Sequence, residues 1–293
     1  MALDKQLSAA AAVAQLRSGM TLGIGGWGPR RKPMSLVREI LRSDLKDLTV
    51  VSYGGPDVGM LCAAGKVKKL VFPFVTLDAI PLEPYYRKAR ESGAIEVMEL
   101  DEGMYEWGLR AAGMRMSFLP TRVGLATDVL AKNPSIKTIA SPYADGEVYV
   151  AMPALKLDAA LLHVNEADRL GNTLVCGADT FFDHLYARAA GHCYVSTEVL
   201  RERFELDAET AKLNPFERYL VTGVVHAPGG AHPTYMGPDY GWDMEHFKRY
   251  NASAGEEGGW RQYVEEFVAP GEAEYLARVG GAEKISKLKL PVF

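Results

Sequence analysis

Gly23-Ile24-Gly25-Gly26-Trp27-Gly28-Pro29-Arg30-Arg31-Lys32-Pro33 is flanked by two contrasting patterns. The apolar run Met20 to Ile24 leads into it and reads as a buried strand, and a helical pattern follows from Met34 to about Leu41. Glycine has no Cβ and tolerates φ > 0, so the backbone there can approach a ligand closely. Pro33 suits the first turn of a helix, where its missing N–H costs nothing. Strand, glycine loop and helix N-terminus together are a common way of holding an anion or oxyanion on backbone N–H groups. Arg30, Arg31 and Lys32 add positive charge at the same point. The plainer alternative is a tight turn with a solvated basic face.

The spacing Gly23-x-Gly25-x-x-Gly28 also fits a dinucleotide fingerprint. That reading needs an acid at the end of the next strand, ~20 residues on, to hold the ribose hydroxyls. The next strand, Leu48 to Tyr53, ends in Ser52, Tyr53 and two glycines, while Asp44 and Asp47 lie before it. Nicotinamide binding is therefore only the runner-up.

The 293 residues are 48% hydrophobic and 24% charged, ordinary globular composition with ample core to bury. A net charge of −4 argues against nucleic acid or an anionic membrane as a general partner, and makes the Arg-Arg-Lys cluster stand out. Cys62, Cys176 and Cys193 are few, odd in number and unpatterned, which suits a reducing cytoplasm with neither disulfide framework nor zinc spacing. No apolar run approaches the ~18 residues of a membrane span. Asp4, Lys5 and Arg17 around a short alanine run do not make a signal peptide. A soluble, cytoplasmic protein is expected.

Taken in order, Asp4 is expected to cap a helix running to about Arg17, closed by Gly19. After the glycine stretch come the strand Leu48 to Tyr53, a second glycine loop over residues 54–59, and a short helix through Cys62. A strand over Lys69 to Phe74, a helix over 83–92, and a strand over Ala94 to Leu100 follow. Asp101-Glu102-Gly103 breaks that strand, and a helix is expected from Met104 to about Ala112. Beyond residue 115 the pattern loosens. Val148 to Leu155, Ala159 to Val164, His192 to Ser196 and Leu220 to His226 read as strands, and 179–190 as an amphipathic helix. The alternation predicts an α/β fold, a mostly parallel sheet with helices on both faces. Ligands in such sheets gather beyond the strand C-termini, the edge to which both glycine loops and Asp101-Glu102-Gly103 belong. One domain over 1–293 is expected, with about 242–293 as a helical extension anchored by Trp242, Trp260 and Tyr263.

Four ordered stretches resemble the α subunit of class I coenzyme A transferases. Gly25-Gly26-Trp27 with Pro33 is similar to that family's glycine loop. Asp101-Glu102-Gly103 with Arg110-Ala111-Ala112-Gly113 stands where the family has Pro-Gln-Gly and Arg-Ala-Gly-Gly. Pro120-Thr121-Arg122-Val123-Gly124 matches Pro-Thr-x-x-Gly, and Ala167 to Asn172 matches Ala-Asp-x-x-Gly-Asn. Gly-Ala-His-Pro at 230–233 resembles the glutaconate branch. Gly-Trp-Gly with Arg-Arg-Lys-Pro-Met, Tyr-Gly-Gly-Pro-Asp and Asp-Glu-Gly-Met together resemble a branch of actinobacterial hydrolase α subunits. That branch opens the last ring of a sterol-derived CoA thioester.

The resemblance implies a heteromeric enzyme with a homologous β subunit, an α2β2 heterotetramer, acting on a 6-oxocyclohexene carboxyl-CoA. No metal or redox cofactor is implied, and CoA enters only as part of the substrate. The transferase nucleophile is a β-subunit glutamate in Glu-Asn-Gly, and no Glu-Asn-Gly occurs here. Glu102 replaces the family's Gln, as a change from acyl transfer to proton chemistry requires. Glu102 is accordingly expected as general acid/base, with Glu106 in reserve; the plain alternative is a solvated turn acid.

Gly25, Gly26 and Trp27 are expected to offer backbone N–H groups to a thioester or enolate oxygen. Arg30, Arg31, Lys32 and Arg122 are expected to bind CoA phosphates or a substrate carboxylate, against surface salt bridges as the alternative. Tyr53 and Asp57 either line the pocket or shape the turn. His226 and His232 lack further ligands for a metal and read as structural, His163 as a satisfied core residue, and Asp168 with Asn172 as stitching their own loop. The alternatives to a hydrolase subunit are a CoA-transferase α subunit, and a scaffold that only completes its partner's site.

Overall fold

The computed structural model describes residues 4–80, 82–178, 180–205 and 207–291. Two short elements come first, strand β1 (Gln6–Leu7) and helix α1 (Ala9–Val13). The expected helix from an Asp4 cap is corrected. Ser8 caps α1 by accepting from the Ala11 N–H, while Asp4 accepts from the Gln6 N–H and pairs with Arg169. Gln6 and Leu7 are drawn instead into the sheet.

Strands and helices then alternate: β2 (Thr21–Trp27), α2 (Met34–Arg42), β3 (Leu48–Tyr53), α3 (Pro56–Ala63), β4 (Val67–Phe72), α4 (Pro84–Glu91) and β5 (Glu96–Glu99). Helix α5 (Glu102–Gly113) leads to β6 (Phe118–Thr121), α6 (Asp128–Lys132), β7 (Lys137–Ala140) and β8 (Val148–Pro153). The large sheet is completed by β9 (Leu157–Asp168), β10 (Thr173–Leu174), β11 (Ala190–Arg201) and β12 (Gly223–His226), with α7 (Asp183–Ala189) before β11. Asp179, which opens the helix expected there, lies outside the described residues. The expected C-terminal helices are α8 (Met244–Ser253), α9 (Gly259–Phe267), α10 (Glu272–Arg278) and α11 (Gly281–Ile285).

The large sheet runs β1-β12-β11-β9-β2-β3-β4-β5, every neighbouring pair parallel, with β10 antiparallel on β9. Alternate strand residues enter opposite cores, as the period of two requires. Leu22, Ile24, Val50, Leu70 and Leu161 pack under α1–α4 and the C-terminal helices. Val51, Tyr53, Ala160 and Leu162 face α5, α7 and β8. A separate antiparallel sheet, β6-β8-β7, packs Val150 and Met152 into that second core. From the β2–β9 junction, strand order grows outward to β5 on one side and to β12 on the other, with β1 added at the far edge, making that junction the topological switch point. Crevices form beyond the strand ends at such a point. Trp27 ends β2 there.

Candidate active site

The glycines before Trp27 belong to the strand, not to a loop. β2 pairs with β3 through Ile24↔Ser52, then skips to Trp27↔Tyr53, so Gly25 and Gly26 form an irregular bulge. A Cβ on Gly25 would lie 2.6 Å from Asp183 Oδ1, and Gly26, at φ +76°, would meet the Arg30 carbonyl at 2.4 Å. The glycines admit the protein's own groups rather than a ligand. Their amides are occupied as well: Gly26 N–H donates to Asp183 Oδ1 (3.3 Å) and Trp27 N–H to the Arg30 carbonyl (3.0 Å). The Gly26 and Trp27 amides, expected to serve an oxyanion, are thus bonded within the chain in this structure. The chain reverses between Trp27 and Arg30 and closes on itself.

That reversal turns two of the three cations inward. Arg31, 2% exposed, donates to Asp183 Oδ2 (2.7 Å) and to the carbonyls of His163 and Thr180 (2.8 and 2.7 Å). Lys32 is fully buried, and its Nζ meets Ser52 Oγ, the Tyr53 carbonyl and Asp57 at 2.9, 2.6 and 3.2 Å. Burial pulls the Lys32 amine below its ordinary range while Asp57 opposes the shift. The Lys32 ammonium is closed to CoA phosphates in this geometry, and the Arg31 guanidinium is already paired with Asp183. Arg30 faces outward, pairs with Asp78 (3.0 Å) and lies 4.9 Å from the Trp27 ring centroid.

Asp57 is buried in the first turn of α3. It accepts from the Gly55 N–H (2.8 Å) and Ser52 Oγ (2.8 Å), so it shapes the turn. The second glycine loop shrinks to Gly54-Gly55 because Pro56 starts the helix. Tyr53 is buried among Phe74, Tyr105 and Phe182, and its hydroxyl has no hydrogen-bond partner among the described residues.

Helix α5 begins earlier than expected. Asp101 is its N-cap, accepting from the Gly103 N–H (2.8 Å), so Glu102 is the first helical residue instead of a turn residue. Acids suit that position beside the unpaired helix N–H groups. The indole N–H of Trp27 donates to Glu102 Oε1 at 3.1 Å across 75 residues of sequence. Glu106, one turn on, is half-buried; burial, reinforced by Glu102, pushes its carboxyl above the usual range, and Arg110 opposes this.

The adjoining crevice contains a cavity of ≈ 400 Å³ lined by Arg30, Arg31, Gly177, Phe181, Tyr235 and Gly237. A second, of ≈ 280 Å³, lies between Trp27, Arg30, Thr180, Phe181 and Phe182. Phe181 and Phe182, both at positive φ, and Asp183 are the residues that sequence reading missed. A helical pattern over 179–190 carries no sign of them.

Arg122 stands apart from these groups, 68% exposed and paired with Glu147, the salt-bridge alternative. His226 is exposed, whereas His232 is buried between Tyr275 Oη (2.6 Å) and Asp243 (3.1 Å). His163 bonds Ser196 (2.7 Å) and Glu198 (2.9 Å), and Asp168 accepts from the Leu170 and Asn172 N–H groups. No group of three metal-ligating side chains occurs among the described residues.

The family model "Coenzyme A transferase" matches residues 6–225. This chain belongs to that family. The cholesterol ring-cleaving hydrolase IpdA subunit of Rhodococcus jostii is 49% identical over 284 residues, covering 94% of this chain and 96% of that one. The structure is similar to glutaconate coenzyme A-transferase from Acidaminococcus fermentans, with a TM-score of 0.88 at 25% identity over 98% of this chain and 96% of that one. The decarboxylase AibA/AibB follows with a TM-score of 0.80 at 29% identity, over 90% and 98%. The expected fold, a mostly parallel α/β sheet of class I coenzyme A-transferase type, is the one observed. No described helix is long and apolar enough to cross a membrane.

Proposed function

We propose that the chain is the α subunit of a two-subunit CoA-thioester hydrolase that opens a steroid-derived ring by hydrolysing a C–C bond. The observation that carries the reading is the Glu102 carboxylate at the start of α5, held by the Trp27 indole at 3.1 Å beside the crevice of the switch point. A coenzyme A transferase built on a β-subunit glutamate has no need of an acid here. The 49% identity to a ring-cleaving hydrolase subunit supports the same chemistry. The partner is a homologous β subunit in an α2β2 assembly.

The substrate is a 6-oxocyclohexene carboxyl-CoA, whose ring ketone stands β to the thioester. Glu102 serves as general acid/base for hydrolysis of the bond between them, and the electron pair is received as a thioester enolate. The substrate's own carbonyls accept that pair, so no metal or redox cofactor is called for. With the Gly26 and Trp27 amides engaged internally, stabilisation of the enolate oxygen falls to other groups, including those of the β subunit.

The test is turnover of the steroid-ring CoA thioester by the αβ complex, wild type beside Glu102→Gln. A loss of ~10²–10⁴-fold with assembly and CoA-thioester binding intact is expected. Unchanged turnover moves the chemistry to the β subunit and leaves this chain as scaffold. A covalent thioester trapped on a β-subunit glutamate makes the complex a CoA-transferase instead.

A further inference from the structure

Glu102 and Glu106 are four residues apart on α5, so their carboxyls rise from one face of the helix. Their surroundings differ. Glu102 is exposed and takes the Trp27 indole N–H at 3.1 Å. That indole is itself held: its ring packs edge-on against Phe74 at 4.7 Å, and the Arg30 guanidinium lies 4.9 Å from its centroid. Trp27 and Arg30 also exchange backbone hydrogen bonds at 3.0 and 3.1 Å. Glu106 is half-buried, and no described residue donates a hydrogen bond to it. The charged and titratable groups around it are Asp101, Glu102 and Arg110 on its own helix, with Tyr53 of β3 beneath.

A donor aimed at a carboxylate favours the ionised form, and burial without a donor favours the protonated one. We infer that the two acids divide the reaction: Glu102, oriented by Trp27, is the base that activates water, and Glu106 is the acid that returns a proton to carbon. This division rests on the hydrolase reading above. Burial and the Glu102 charge raise the Glu106 carboxyl in the direction the role requires.

The step balances with one water. Glu102 takes a proton from water as the oxygen bonds to the ring ketone carbon. The adduct collapses to a carboxylic acid, and the C–C bond breaks with its electron pair going to the carbon beside the thioester. Glu106 gives its proton to that carbon. The proton on Glu102 then passes to Glu106, and both return to their starting states. Trp27 touches no reacting atom and is a positioning residue.

The test uses the assembled αβ complex and a 6-oxocyclohexene carboxyl-CoA thioester. Glu106→Gln is expected to lower kcat by ~10²–10⁴-fold and to remove the alkaline limb of the kcat/KM–pH profile while keeping the acid limb. Glu106→Asp, which retains a proton, keeps both limbs with a smaller loss. Trp27→Phe lowers kcat roughly tenfold with KM little changed, the effect of one hydrogen bond. A readout free of substrate is the indole ¹⁵N–¹H resonance of Trp27, which is displaced in Glu102→Gln because its acceptor changes.

Full turnover with an intact alkaline limb in Glu106→Gln, from a wild type that opens the ring, overturns the division alone. So does a Trp27→Phe variant with full kcat, or a Trp27 resonance indifferent to Glu102. A wild-type complex that leaves the thioester unopened overturns the substrate reading and the division together.

Discussion

The basic turn at residues 30–32 and the acidic start of α5 are similar in sequence, each a short charge run next to a glycine, yet they end in opposite states. Arg31 and Lys32 are turned into the core against Asp183 and Asp57, at 2% and 0% exposure. Glu102 remains at the surface with one donor, and Glu106 half-exposed behind it. A charge run thus reveals sign but not direction. The cations brace the switch point; Glu102 stays outside and meets Trp27, which lines the smaller cavity beside it.

The largest expected effect comes from breaking the inward half. Lys32→Met leaves Asp57 buried without its counter-ion and is expected to cost ~3–5 kcal/mol, read from the chemical-denaturation midpoint. Replacing Asp57 by Leu in the same chain should recover much of that loss. Unchanged stability with a raised KM for the CoA thioester would instead return Lys32 to the ligand. Glu102→Gln is the mirror experiment: a large loss of turnover, with stability within ~0.5 kcal/mol of wild type by the same denaturation.

Glu83 sharpens the comparison as an acid turned inward without a cation paired to it among the described residues. It accepts from the Tyr86 N–H and the Tyr250 hydroxyl, each at 2.6 Å, and burial pushes its carboxyl up to about 7. Because the folded value lies above the ordinary glutamate value of 4.5, its contribution is complete below about pH 4.5 and lost as pH rises through about 7. Glu83→Gln should flatten the fall in stability across that window, on the order of 3 kcal/mol for a shift of this size. A slope that survives the substitution belongs to another group. The smallest effect is at Arg122, whose exposed pairing predicts no measurable change in Tm for Arg122→Ala. A raised KM in that variant would show that the complex, though not the chain alone, brings Arg122 to the substrate.

The strand at Leu48 to Tyr53, the helix after Pro33 and the parallel sheet were legible because apolar spacing is a local record of which face is buried. The site was legible only in part. Glu102 stood out as a carboxylate at a strand end, but Asp101 as a cap shifted the helix start by two residues and made Glu102 helical. Gly25 and Gly26 did signal close approach, though glycine cannot say whether a ligand or Asp183 approaches. The Arg31–Asp183 and Trp27–Glu102 contacts span 152 and 75 residues, and neither leaves a periodic trace.

The pairing of β1 with β12 bears on synthesis at the ribosome. Gln6 and Leu7 dock against Val224 and Val225, and β2 needs Leu161 of β9 on one side. β1 must wait for more than two hundred residues to follow before it finds its neighbour, while β2 to β5 can assemble as they appear. During translation the nascent chain therefore carries an unpaired β2 edge, the interval in which a chaperone would have most to cover.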